Sequence, residues 1–194
     1  MATRGVMSAA IVIWVFASPN LSAQHTPGFS PAQIASVDHL LQFIQKRLEQ
    51  APTIAETRWK NMSRIEDAIG EQTVINAVRT QSAKVGLDVE LAARFAQAQI
   101  DAGKIIQTAR HREWGADTGK APNRDTTVNF FEASTPEPAF STATLHALRD
   151  AVSVLRQRGG RTLLDARAAD LIHVGGPDLL SGQTALRPLY DIAN

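Results

Sequence analysis

The sequence predicts an all-α fold, a single-domain multi-helix bundle, and three observations predict it. After residue 30, apolar residues recur at three- and four-residue steps almost throughout, and no alternating run of strand length interrupts them. Serine, proline, aspartate and glycine stand at the joints of that pattern, where helix ends need them. The chain has 194 residues, 44 % of them apolar and 20 % charged, which suits one sizeable core and is too short to argue for two.

The elements follow in order. A first helix is expected from Ser30, with Pro31 in its first turn, where proline has no hydrogen bond to lose. Ile34, Val37, Leu40, Leu41, Ile44 and Leu48 form its inward stripe. Pro52 removes an interior hydrogen bond, which predicts a kink or a restart before "TIAETRWKNM" continues the pattern. A second helix is expected from Ile65 to Lys84, stopping at "KVGLD", where Gly86 suits the left-handed position just past a helix end. Asp88 is a good N-cap for a third helix, Val89 to Trp114, the longest uninterrupted pattern and the expected spine of the domain. Gly115 to Phe140 reads as an irregular loop. Ser141 can cap a fourth helix through Arg158, ended by Gly159 and Gly160. A fifth helix, "RTLLDARAADLI", and a short one after "GGPD" complete the set.

Residues 1–23 differ from the rest. Arg4 precedes the apolar run "VMSAAIVIWVFA", and "SPNLSA" ends in small residues, the pattern of a secretory signal peptide cleaved near Ala23. A membrane anchor is the other reading, but the run is about a dozen residues where a span needs roughly twenty. The expectation is a periplasmic or secreted protein whose helical domain covers 30–194, with no membrane attachment after leader removal. The leader carries Arg4 and no acid, so the formal charge falls from +1 to 0 on its removal. Nothing in that balance suggests a nucleic-acid partner. There is no cysteine, so an exported chain of this sequence rests on helix packing and not on disulfides.

Candidate site residues lie in two stretches. Arg47 and Arg58 are eleven residues, about three turns, apart, so a continuous helix puts both guanidinia on one face, where two forks can grip a dicarboxylate. Solvated surface arginines are the alternative. Asp67 and Glu71 share a face at a four-residue step, either as part of that site or as a solvent-facing acidic pair. On the third helix Gln99, Gly103 and Gln107 form a column with Lys104 beside it, which either faces water or lines a cavity between helices. Gly103 costs about 1 kcal/mol in helix propensity. It opens space beside Gln107 or permits close helix packing.

The runs "QKRLEQAPTIAETRW", "IEDAIGEQTVI", "GLD" and "QIDAGKIIQ", followed by Trp114, resemble in order and spacing the exported, gamma-type subclass of the all-helical chorismate mutases. The match spans Gln45 to Trp114, and from Ser141 onward it consists of helical character and similar length. The resemblance implies conversion of the small molecule chorismate to prephenate, by a concerted Claisen rearrangement that uses no cofactor and no metal. Binding and electrostatics must then supply the rate. It implies a whole site in one chain, with homodimers common. Carried over by position, Arg47 binds a substrate carboxylate, Arg58 stands where a lysine meets carboxylate and ether oxygen, and Gln107 donates to the ether oxygen. Asp67 and Glu71 fall around the substrate hydroxyl and the neighbouring cations, and Lys104 also matches the pattern. Besides Arg58 for lysine, two positions depart from it: Gly70 replaces an arginine, and Ala151 stands at the nearest register of another, leaving Arg64 or Arg149 as cations that could compensate. A degenerate fold that binds a ligand or a protein without turnover, and an isochorismate pyruvate lyase, are the rival functions.

Overall fold

The computed structural model describes residues 28–123, 140–173 and 178–194. The expected leader, and 124–139 of the expected loop, lie outside the described residues. Among those described there are six α-helices and no strand: α1 (Pro31–Lys60), α2 (Ala68–Lys84), α3 (Val89–Ala116), α4 (Thr142–Leu155), α5 (Gly160–Leu171) and α6 (Leu179–Tyr190). None is long and apolar enough to cross a membrane.

The first helix begins as its sequence predicts. The Ser30 hydroxyl accepts from the Gln33 N–H while the Gln33 side chain accepts from the Ser30 N–H, a reciprocal cap with Pro31 at the first helical position. Pro52 does not break it: α1 runs 30 residues with the proline inside. Proline deletes one interior bond, and the buried Leu48, Ala51 and Ala55 on either side hold the helix against its neighbours.

The second helix starts three residues later than expected, at Ala68, because the Asp67 carboxylate accepts from the Gly70 N–H and caps it there. Its end and the next start are as predicted: Gly86 has φ +70°, and the Asp88 carboxylate accepts from the Leu91 N–H at 2.8 Å. The fourth helix stops at Leu155, short of the expected Arg158, and Gly159 follows at φ +86°.

Helix α3 is the spine, packed on α1, α2 and α6, while α1 also packs on α4 and α5. Leu40, Leu41 and Ile44 from α1, Leu91, Phe95 and Ile106 from α3, and Leu145, Leu148 and Leu155 from α4 are fully buried in one core. Arg167 ties α5 to α1 through a two-pronged contact with Asp38, at 2.6 and 3.0 Å. The two tryptophans of the sequence motif meet: Trp59 and Trp114 stand edge to face at 5.6 Å, with His111 against both. The His111 Nε2 lies 2.8 Å from the Ala55 carbonyl, so this cluster fastens the end of α1 to the second half of α3.

Candidate active site

The unbroken α1 satisfies the condition for Arg47 and Arg58 to share a face, since eleven steps of about 100° return nearly to the starting direction. Their surroundings differ. The Arg58 Nη1 donates to the carbonyls of Arg64 and Ile65, at 2.6 and 2.5 Å, and so straps the non-helical link between α1 and α2 to the end of α1. Ser63 donates back to the Arg58 carbonyl at 2.8 Å, closing the same turn. Arg47 instead carries its guanidinium over the ring of Phe140, 5.0 Å from its centre.

The strapped link and the first turn of α2 bring two acids to α3. The Lys104 ammonium meets Glu66 at 3.0 Å and both oxygens of Glu71 at 3.1 Å, with Asp101 at 3.7 Å. Lys104 and Glu71 are only 20 % and 19 % exposed, so this pair is better shielded from water than an ordinary surface contact. Desolvation works to lower the Lys104 pKa; hydrogen bonds and charge from Glu66 and Glu71 outweigh it, and the pKa stands above its ordinary value. Glu71 also turns back to accept from the Asp67 N–H at 3.3 Å. Asp67, Glu71 and Lys104 are therefore one network, with Arg58 joined to it through the backbone of the link.

Gly70 sits against that network. A Cβ built on it would lie 2.8 Å from the Asp67 Cγ and closer still to Oδ2, because the capping carboxylate fills the space a side chain would leave by. Gly70 and the cap at Asp67 are thus parts of one local arrangement.

The column on α3 divides. Gln99 is buried and donates to the Ala185 carbonyl at 2.8 Å, so it serves the α3–α6 contact and not a site beside α1. A Cβ on Gly103 would meet only the Gln107 Nε2, at an ordinary 3.6 Å. Among the described residues no helix therefore packs tightly on Gly103, which favours the reading in which it opens space beside Gln107. Gln107 is 6 % exposed, and its Oε1 has no hydrogen-bond partner among the described residues. A buried amide oxygen in that state is uncommon in a folded protein.

Neither expected substitute for the missing cations enters this group as a guanidinium. Arg149 is exposed, pairs with Asp150 at 2.8 Å and donates to the Val85 carbonyl, while Ala151 lies in the core. Arg64 is exposed and lends its carbonyl to Arg58. Three contributors were not singled out in the sequence: Glu66, Asp101 and Phe140. Asp101 lies three residues before Lys104, a spacing that could have found it; Glu66 and Phe140 arrive through tertiary contacts. A cavity of about 520 Å³ lies elsewhere, between α5 and α6, lined by Ile172, Leu179, Leu186 and Tyr190 among others, and contains none of these residues.

No family model matches the sequence, and no curated protein matches it either. Solved structures do. A chorismate mutase from Burkholderia thailandensis matches with a TM-score of 0.68 at 22 % identity, over 80 % of this chain and 99 % of that one. A chorismate mutase from Burkholderia phymatum matches with a TM-score of 0.63 at 21 % identity, over 81 % of this chain and 98 % of that one. The chain has the all-helical fold of those structures.

Proposed function

We propose that the chain is an exported chorismate mutase that rearranges chorismate to prephenate in a site formed by α1, the start of α2 and α3. The observation that carries the reading is the fold likeness to solved chorismate mutases over nearly their whole length. The motif residues on α1, α2 and α3 support it.

The reaction breaks one C–O bond and makes one C–C bond in a single step, so the protein need only hold a folded dianion and meet the charge that grows on the ether oxygen. In this reading Arg47 and Arg58 bind the carboxylates. Nη1 of Arg58 keeps the link carbonyls while the rest of the fork faces the ligand. Gln107, buried beside the space at Gly103, turns its amide N–H to the ether oxygen. Asp67 and Glu71 face the substrate hydroxyl, and Lys104 offsets their charge.

A second reading is favoured by the commitments of the cations. Lys104 faces three carboxylates, Arg58 holds two carbonyls, and position 70 supplies none. That balance suits an exported protein that binds a ligand or a protein partner without turnover. Incubating the purified protein with chorismate, and following its loss together with prephenate formation, separates the two. Stoichiometric prephenate supports the mutase, and unchanged chorismate supports the binder.

A further inference from the structure

We infer that Phe140 is a positioning residue that holds the Arg47 guanidinium in the plane from which it meets a carboxylate. The inference rests on the proposed role of Arg47 and adds a residue that the sequence pattern does not contain. An arginine on a helix has four rotatable bonds before its planar head and samples many orientations unless something fixes that plane. The electron-rich face of an aromatic ring does so, because it attracts the cation and also stacks with it. A guanidinium whose plane is fixed in this way presents N–H donors at its edge, where a carboxylate can take two of them.

The ring under Arg47 is itself fixed. Phe140 is 7 % exposed and stands edge to face with Phe95 at 6.2 Å and 79°, and Phe95 is fully buried on the spine helix. The next residue, Ser141, is the N-cap of α4 and accepts from the Thr144 N–H. Phe140 therefore occupies the position just before the cap, where an apolar residue commonly pairs with one in the helix's first turns, and Leu145 at that place is fully buried. Helix α4 contributes no cation at Ala151. The residue just before its cap contributes the ring that orients the cation of α1.

Phe140→Leu and Phe140→Tyr test this. Leucine keeps apolar bulk and removes the π face; tyrosine keeps the face. Phe140→Leu should raise KM for chorismate about three- to thirtyfold with kcat within about threefold, and Phe140→Tyr should restore KM to within about twofold, at similar melting temperatures. Equal KM values for the two variants would overturn the inference, because a purely structural role does not distinguish them by the π face. A ligand-free arm keeps the result independent of the functional reading. In a double-mutant cycle of Arg47→Met and Phe140→Leu on urea unfolding, the pair should be coupled by about two- to fivefold in the unfolding constant. Additive effects would overturn the platform whatever the ligand. If wild type neither binds nor converts chorismate and the coupling is still found, the mutase reading fails and the platform stands.

Discussion

Substituting Gly70 should change stability by an amount that depends on Asp67. In the wild type, an added Cβ at position 70 lies within 2.8 Å of the Asp67 Cγ, so the carboxylate must rotate away and give up its 2.9 Å bond from the Gly70 N–H. Losing an N-cap costs about 0.5–2 kcal/mol. Replacing an interior helical glycine by alanine returns about 1 kcal/mol at most. With the full return, Gly70→Ala should therefore fall between about 0.5 kcal/mol of stabilisation and about 1 kcal/mol of destabilisation, lowering the melting temperature by at most about 4 °C for a chain of this size. In an Asp67→Ala background the cap is already gone and the space is empty, so the same Gly70→Ala change should stabilise by about 0.5–1 kcal/mol. Urea unfolding of the four proteins measures both values as a cycle, and the expected coupling is on the order of 1 kcal/mol. An equal effect of Gly70→Ala in both backgrounds would refute the argument that the capping carboxylate occupies the side-chain space. Gly70→Arg meets the same obstruction at the Asp67 carboxylate and should lose the same cap.

Gln107→Leu should lower kcat for chorismate by more than it raises KM, because it removes a donor to charge that exists only in the transition state; steady-state kinetics of the variant check this. Alkaline stability should depend on Lys104, whose pKa is raised in the folded chain. Its contribution is complete below its ordinary value of 10.5 and is lost as pH rises through the folded value, so Lys104→Met should flatten the fall in stability in that range. Burial and the Asp165 hydrogen bond raise the Tyr190 pKa, so Tyr190→Phe should remove a separate part of the same slope, measured by urea unfolding against pH. Expressed in an exporting host, the mature chain should begin near Gln24, and an intact mass that retains residues 1–23 in a membrane fraction would contradict the leader.

The features legible in the sequence were those whose causes are local. Ser30 with Pro31, Gly86 and Asp88 mark helix ends through bonds made within four residues, and the structure places them as read. The start of α2 was read three residues early although its Asp67 cap is local, because Arg58, from the end of the preceding helix, holds the carbonyls of Arg64 and Ile65 in the link. Pro52 read as an interruption because one missing bond is visible in sequence, while the packing of Leu48, Ala51 and Ala55 that carries the helix past it is not. Of the residues singled out for the candidate site, Lys104 and Asp67 each bond to Glu71. Glu66, a further partner of Lys104, and the ring beneath Arg47 depend on how the segments leading into α2 and α4 dock, which no spacing within one helix encodes.

The most direct test of the account is kcat/KM on chorismate for wild type and Arg47→Ala, with the product identified as prephenate and the helical content of both proteins checked by circular dichroism. The account predicts conversion by wild type and at least about a hundredfold loss in the variant at unchanged helicity, because a carboxylate loses its charge-assisted partner. No conversion by wild type, or equal rates in the two proteins, would contradict it.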